Sequence, residues 1–294
     1  MELGIVSRPT DSVYIIDGDV VDLETCYQPG FKIGLGTNMN HDRWDIQTFY
    51  TWFRSIQKGK TTLNPASEDQ LAPLWLIPIA TGASNPFYYN GNETWKLDMD
   101  LLDLELSRTF FMGSHFVMRP FVGVRAAWIR QKLSVDYLNV AGGKVPENIF
   151  IQHKFHSWGV GPKTGFDSHW RVGQNFRFFG NLEGDIVFTE YRKIRVNQMG
   201  KNAAGQPTAN SGFRTLQKNS HHPRPHIDTE FGIGWETACN SRGWHLDLTA
   251  GYSYQVFFGQ NMFRNFVNNF SLNSLAPSGD LYIHGLKVTM RLDL

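Results

Sequence analysis

The clearest pattern in the chain is strict alternation of apolar and polar residues from Trp244 to Phe258. Trp244, Leu246, Leu248, Ala250, Tyr252, Tyr254, Val256 and Phe258 are all apolar or aromatic, and the residues between them are mostly polar or small, such as His245, Asp247 and Gln255. A period of two belongs to a strand, whose successive side chains point to opposite faces; a helix repeats every 3.6 residues. At about 3.4 Å per residue this strand is about 50 Å long, far beyond the usual globular strand of about 5–6 residues. The segment before it alternates too. Ile227, Phe231, Ile233 and Trp235 face one way, and His226, Asp228, Glu230, Gly232, Gly234 and Glu236 the other. At the end of the chain Leu286, Val288, Met290, Leu292 and Leu294 stand against Gly285, Lys287, Thr289, Arg291 and Asp293.

Further strands are predicted near 18–38, 44–56, 93–111, 116–133, 151–166 and 179–196, with residues 2–8 as the tail of one more, about ten in all. The alternation changes phase at Leu101-Leu102, which predicts a β-bulge. Pro120 and Pro162 fall within strands and predict bulges or local breaks. Short connections fall near 39–43, 112–115, 167–178 and 239–243, the third with room for a helical turn. Long ones fall at 57–92, 134–150, 197–222 and 259–278. Short turns at one end and long loops at the other is the outer-membrane barrel arrangement, which puts the long loops outside.

No run of 18 apolar residues occurs, so no transmembrane helix is predicted. In lipid every backbone polar group must be paired within the protein, which leaves a closed barrel. The prediction is an all-β, transmembrane, antiparallel up-and-down barrel with short periplasmic turns and long extracellular loops. It spans 1–294 as a single domain, with a truncated first strand and no signal peptide.

Composition agrees. Among 294 residues aromatics make up 14% and charged residues only 19%, which suits a wall that is not all water-facing. A net charge of +1 gives no reason to expect nucleic acid. The two cysteines, Cys26 and Cys239, match no metal-ligand spacing and read as free buried thiols.

The polar rows supply the candidate lumen: Asp98, Asp100, Asp103, Glu105, Arg119, Arg125, Glu183, Asp185, Asp228, Glu230, Glu236, Asp247, Lys287 and Arg291. Such charges line a hydrated path and tune selectivity, or else neutralise one another and fill a narrow barrel. Trp44, Trp95, Trp128, Trp235, Trp244 and Phe258 sit near strand ends, where an aromatic girdle belongs.

Three motifs invite other chemistry. Gly159-Val-Gly-Pro-Lys-Thr-Gly165 lacks the glycines a phosphate-binding loop needs at Ser157 and Pro162, and lies inside a strand. His221, His222 and His226 read as solvent-exposed histidines beside a polar loop rather than metal ligands. His245 and Ser253, eight apart on one face, are about 27 Å apart along the strand and cannot pair as a catalytic couple. No catalytic, cofactor or metal site is expected. The expected partners are outer-membrane lipid and small solutes or ions, with homo-oligomers of barrels allowed.

Pro29-Gly-Phe-Lys-Ile-Gly-Leu-Gly, His41-Asp-Arg-Trp-Asp, Arg119-Pro-Phe-Val-Gly-Val-Arg-Ala-Ala-Trp and Trp158-Gly-Val-Gly-Pro-Lys-Thr-Gly carry a resemblance. The chain resembles the pore-forming outer-membrane proteins of Legionella and of chlamydia-like bacteria. The resemblance implies a barrel porin in the outer membrane, immunogenic or adhesive at the surface, with no catalytic residues to transfer. The family opens with a complete first strand and usually ends on an aromatic; here the chain ends on Leu294. The leading expectation is a narrow, charged pore for passive diffusion of small solutes or ions. Its rivals are a non-conducting surface barrel acting as adhesin or structural protein, and a soluble β-sandwich that binds glycans.

Overall fold

The computed structural model describes residues 2–9, 16–39, 44–66, 69–76, 87–140, 148–173, 175–208, 212–239, 244–263 and 279–293. These form fourteen strands of one sheet: β1 (Glu2–Pro9), β2 (Ile16–Asp22), β3 (Gly30–Asn38), β4 (Trp44–Thr62), β5 (Gln70–Pro73), β6 (Tyr88–Arg108), β7 (Phe110–Met112), β8 (Phe116–Val140), β9 (Asn148–Arg171), β10 (Phe176–Lys201), β11 (Phe213–Gln217), β12 (Ser220–Cys239), β13 (Trp244–Asn261) and β14 (Gly279–Asp293). No helix occurs among the described residues. Nine strands make the wall, in the order β3-β4-β6-β8-β9-β10-β12-β13-β14, each antiparallel to its neighbour. The sheet curls, bringing its edges together: Tyr27, just before β3, lies edge-on to His284 of β14 with ring centroids 6.4 Å apart. Among the described residues no ladder joins β3 to β14.

The strands are longer than the membrane requires, and their chemistry changes part-way. On β9 the outer face runs from Trp170 through Ser168, Phe166, Thr164, Pro162 and Val160 to Trp158, with the Ser168 and Thr164 hydroxyls bonded to the backbone carbonyls of Gly180 and Phe121. That stretch is about 40 Å along the strand, or about 30 Å after a tilt of roughly 40°, close to the height of an outer-membrane apolar band. Within it polar side chains point in and apolar ones out. Asp103 and Glu105 are buried while Leu102 and Leu104 are exposed; Arg125 is buried while Val122 and Val124 are exposed; Asp185 is buried while Ile186 and Phe188 are exposed. On the loop side of Trp128 and Trp158 the same strands reverse. Leu97, Met99, Ile129, Leu133, Phe155, Ile194 and Val196 turn inward, and Lys96, Asp98, Arg130, Lys132, Lys154 and Arg195 outward. The wall leaves lipid there and enters water, so the hydrophobic effect now acts toward the interior.

That reversal corrects the predicted bulge at Leu101-Leu102. The β4–β6 and β6–β8 registers run through both residues unbroken, with Leu101 buried inside and Leu102 exposed outside. The change of phase is chemical, not geometric. The one shift along the β9–β10 ladder lies between Tyr191 and Lys193. Pro120 causes no break in the β8–β9 register; at Pro162 the β9–β10 ladder omits rungs but resumes in the same register, as a residue without an N–H donor requires. Trp95 also departs from the girdle. It packs inside and donates from Nε1 to Gln131 Oε1 at 3.1 Å.

The predicted strand near 18–38 divides into β2 and β3, and the tail at 2–8 is β1. Both β1 and β5 lie at the long-loop end, where β5 pairs β6 and β1 lies between β5 and β2. There Val6, Leu71, Trp75 and Leu76 bury themselves against Tyr88, Leu133, Val135, Tyr137, Ile149 and Ile151 of the inner wall. This apolar cap fills the interior beyond the membrane. Cys26 is exposed rather than buried: it lies in the link between β2 and β3, whose backbone is held by Gln57 through bonds of 2.7 and 2.8 Å. The side chain of Cys239 and the turns at 40–43 and 240–243 lie outside the described residues.

Candidate functional site

The inner wall carries a charged layer at mid-membrane height, drawn from β6, β8, β9, β10 and β12. Period-two geometry aims one residue in two at it. Arg125 of β8 crosses the interior and is 2% exposed. Its Nε and Nη2 donate to the two carboxylate oxygens of Asp103 at 2.7 Å each. Nη2 also donates to Glu183 Oε1 at 2.7 Å, and Nη1 to Asp185 Oδ2 at 2.6 Å. Lys163 of β9 completes the layer, with Nζ 2.9 Å from Asp103, 2.7 Å from Glu105 and 2.8 Å from Glu183. His226 Nδ1 lies 2.7 Å from Asp185 and 2.8 Å from Arg125. Two cations thus meet four carboxylates, each held by charge-assisted bonds.

Opposite each of the two long side chains stands a glycine whose missing Cβ lets neighbouring backbones approach closely. Gly161 is the register partner of Arg125, and Gly123 that of Lys163. A Cβ at Gly161 would lie 1.9 Å from the Ile186 carbonyl oxygen, and one at Gly123 2.1 Å from that of Leu104. The motif from Gly159 to Gly165 is therefore a wall strand that carries an inward cation, Lys163.

Most of the other predicted lumen residues also point inward, in separate groups. Toward the turns Arg119 binds Asp167 at 2.6 Å, and Arg177 binds both Glu236, at 2.6 Å, and Asp247. Toward the β14 edge Lys287 binds Glu230 at 2.7 Å, and Asp228 accepts bonds from Ser253 and Gln255. Arg291 lies near the turn end beside Asp293. Asp98 and Asp100 do not belong: they share the outer face with Leu102 and pair with Arg54 and Arg130. The phase reversal explains the error, because near Trp128 the polar row crosses to the outside.

Inward groups absent from the predicted lumen include Lys32, Lys163, Asp167, Arg177 and His226. Lys32 sits over the Phe49 ring at 4.5 Å, on the face that Gly34 and Phe49 share with Asp103. Lys163 was hidden in a motif and Arg177 in a supposed turn; continuing the period-two phase through both would have found them. His226 is buried, not solvent-exposed, because its place in the alternation turns it to Asp185. His221 and His222, being adjacent in a strand, face opposite ways.

Above the membrane, Glu93 lies beneath the apolar cap. It is 1% exposed, and neither carboxylate oxygen has a bonding partner among the described residues. Burial pushes its pKa up to about 7. Its folded-state pKa exceeds the unfolded one, so its contribution to stability is complete below about 4.5 and is lost as pH rises through 7. His153, which packs on Trp75, behaves oppositely: burial lowers it to about 3, so its contribution holds above 6.5 and fades as pH falls. Cap stability should peak between these limits. Glu93→Gln should remove the alkaline loss, worth roughly 2–4 kcal/mol between pH 5 and 8. Hydrogen exchange at Val135 and Ile151 measures it; parallel pH profiles for variant and wild type would mean that Glu93 is hydrated.

The comparisons with known proteins agree with this architecture. The family described as Legionella pneumophila major outer membrane protein precursor matches residues 5–294. No curated protein and no solved structure matches. The match covers nearly the whole wall, from β1 to β14, and this chain belongs to the Legionella major outer membrane protein family, a protein of the bacterial outer membrane.

Proposed function

We propose that this chain is a porin-like barrel in which a narrow charged layer, rather than a wide lumen, governs passive passage of small ions. The observation that carries this reading is the inverted wall: apolar outside across the membrane span, with Arg125 and Lys163 among four carboxylates inside. In low-dielectric surroundings such charges act on a passing ion more strongly than surface charges do. The excess of carboxylates favours cations. Next to the layer, among Ala127, Ser157, Gly159 and Gln260, a gap of about 10 Å³ remains, room for one water. Because Arg125, Asp103 and Lys163 are buried within the layer, passage requires its side chains to move, and small conductance steps are expected. Asp103, Glu105, Glu183 and Asp185 would set the preference at the layer; Arg119, Glu236, Asp247, Asp228, Glu230, Lys287 and Arg291 would line the approaches.

Planar-bilayer recording tests this. Wild-type protein should give small, cation-preferring steps. Replacing Lys287 and Arg291 together by Glu should move the reversal potential further toward cations while the barrel still folds and resists heat in detergent. An unchanged potential in a folded, conducting variant would remove these two from the path. The burial of Arg125 and the apolar cap favour a second reading, a closed barrel serving as a structural or adhesive surface protein. Folded wild-type protein that conducts nothing would establish it.

A further inference from the structure

The outer wall carries a second charged feature, just on the loop side of Trp128 and Trp158. Lys96 of β6, Lys132 of β8, Lys154 of β9 and Arg195 of β10 stand directly opposite one another across four adjacent strands. One row nearer the membrane lie Arg130 and Lys193, each the register partner of His156. Like charges directly opposed on one face of a sheet destabilise it. The nearby acids do not relieve them. Asp98 and Asp100 pair with Arg54 and Arg130. Among the described residues, no carboxylate forms an ion pair with Lys96, Lys132, Lys154, Lys193 or Arg195. The group lines a concavity of about 450 Å³.

We infer that this concavity binds the phosphate of a phosphorylated lipid headgroup in the membrane leaflet on the long-loop side. Its height decides the ligand. The outer face below it is Val124, Ala126, Val160 and Phe188, the apolar band; the row between is Asp100, Trp128, Trp158 and Glu190, with Asp100 held by Arg54 and Arg130 and Glu190 by Trp158 Nε1. Tryptophan marks the headgroup level, so the cations stand where a lipid phosphate lies when its chains cover the band. A free anion gains only the charge; the lipid gains the charge and the wall together. The phosphate also supplies the counter-charge that the opposed cations lack. The inference rests on the outer wall facing lipid, not on the barrel conducting.

The test uses the full chain refolded in an uncharged detergent. It is titrated with a phosphorylated glycolipid, with the same lipid after removal of its phosphates, and with inorganic phosphate, and bound lipid is counted by native mass spectrometry. Lys132→Ala/Lys154→Ala should weaken the phosphorylated lipid about 25-fold, at roughly fivefold per lysine, and leave the dephosphorylated lipid unaffected. It should unfold no more easily than wild type in the lipid-free detergent, since it removes a repulsion. If the double variant does not fold, Lys193→Gln/Arg195→Gln carries the same test. Equal binding of the two lipids by wild type, or undiminished binding by a folded variant, overturns the site. Inorganic phosphate binding as tightly as the phosphorylated lipid overturns the assignment to a headgroup.

Discussion

Replacing Arg125 by alanine is expected to cost the folded barrel about 3–5 kcal/mol, the scale for removing one partner from a buried ionic network. The guanidinium neutralises Asp103, Glu183 and Asp185 at once. Without it Lys163 is left to face Asp103, Glu105 and Glu183, and Asp185 keeps only His226. Arg291→Ala is the control. Arg291 is exposed and binds its near neighbour Asp293, a pair worth at most about 1 kcal/mol. Urea titration of both variants in lipid, followed by tryptophan fluorescence, measures the two losses. A loss for Arg125→Ala as small as for Arg291→Ala would mean that water screens the layer. The interior would then be a wide hydrated lumen, and the constriction proposed above would not exist.

How far the sequence revealed this structure depended on where each strand meets the membrane. β13 and β14 were legible because most of their length lies within the apolar band, so one rule, polar inside and apolar outside, holds from Trp244 to Tyr254 and from Leu286 to Leu292. β6, β8, β9 and β10 cross from lipid into water part-way along. There the rule inverts while the backbone keeps its period of two. Read with a single rule, β6 gives a false bulge and sends Asp98 and Asp100 to the wrong face. The inversion has a sequence signal: the tryptophans Trp128 and Trp158 mark where the apolar row ends and a row of cations takes its place.

The membership of the charged layer was less legible than its existence. Alternation alone turns Arg125 and Asp103 to the inward face, where the structure places both. That they touch follows from a β6–β8 register set by the turn between those strands, and that Asp103 also meets Lys163 from the β8–β9 register. No local pattern encodes either. The cap was missed for a related reason. Leu71 to Leu76 reads as part of a long loop, and only the fold brings Val6 and Val135 to it.

Val288→Arg is expected to destabilise the barrel by roughly 2–4 kcal/mol, the scale for a cation at the middle of the apolar band. Val288 is 72% exposed on the outer face of β14, between Leu286 and Met290, which are also exposed. Its cross-strand partner Ala250 offers no polar atom. The side chain must then pull water or headgroups into hydrocarbon to stay charged. Thr289→Arg is the matched comparison. Thr289 points inward beside Thr249, on the same face as Lys287 and Arg291 and their carboxylate partners. A new cation there finds water and acids already present, so its cost should stay below about 1 kcal/mol. Both barrels are refolded into vesicles and titrated with urea, as for Arg125→Ala. In uncharged detergent, which lets water reach the outer face more readily, the gap between the two should narrow. Equal costs in vesicles, or a larger one for Thr289→Arg, would place lipid on the wrong side of the wall, and with it both the charged layer and the proposed headgroup site.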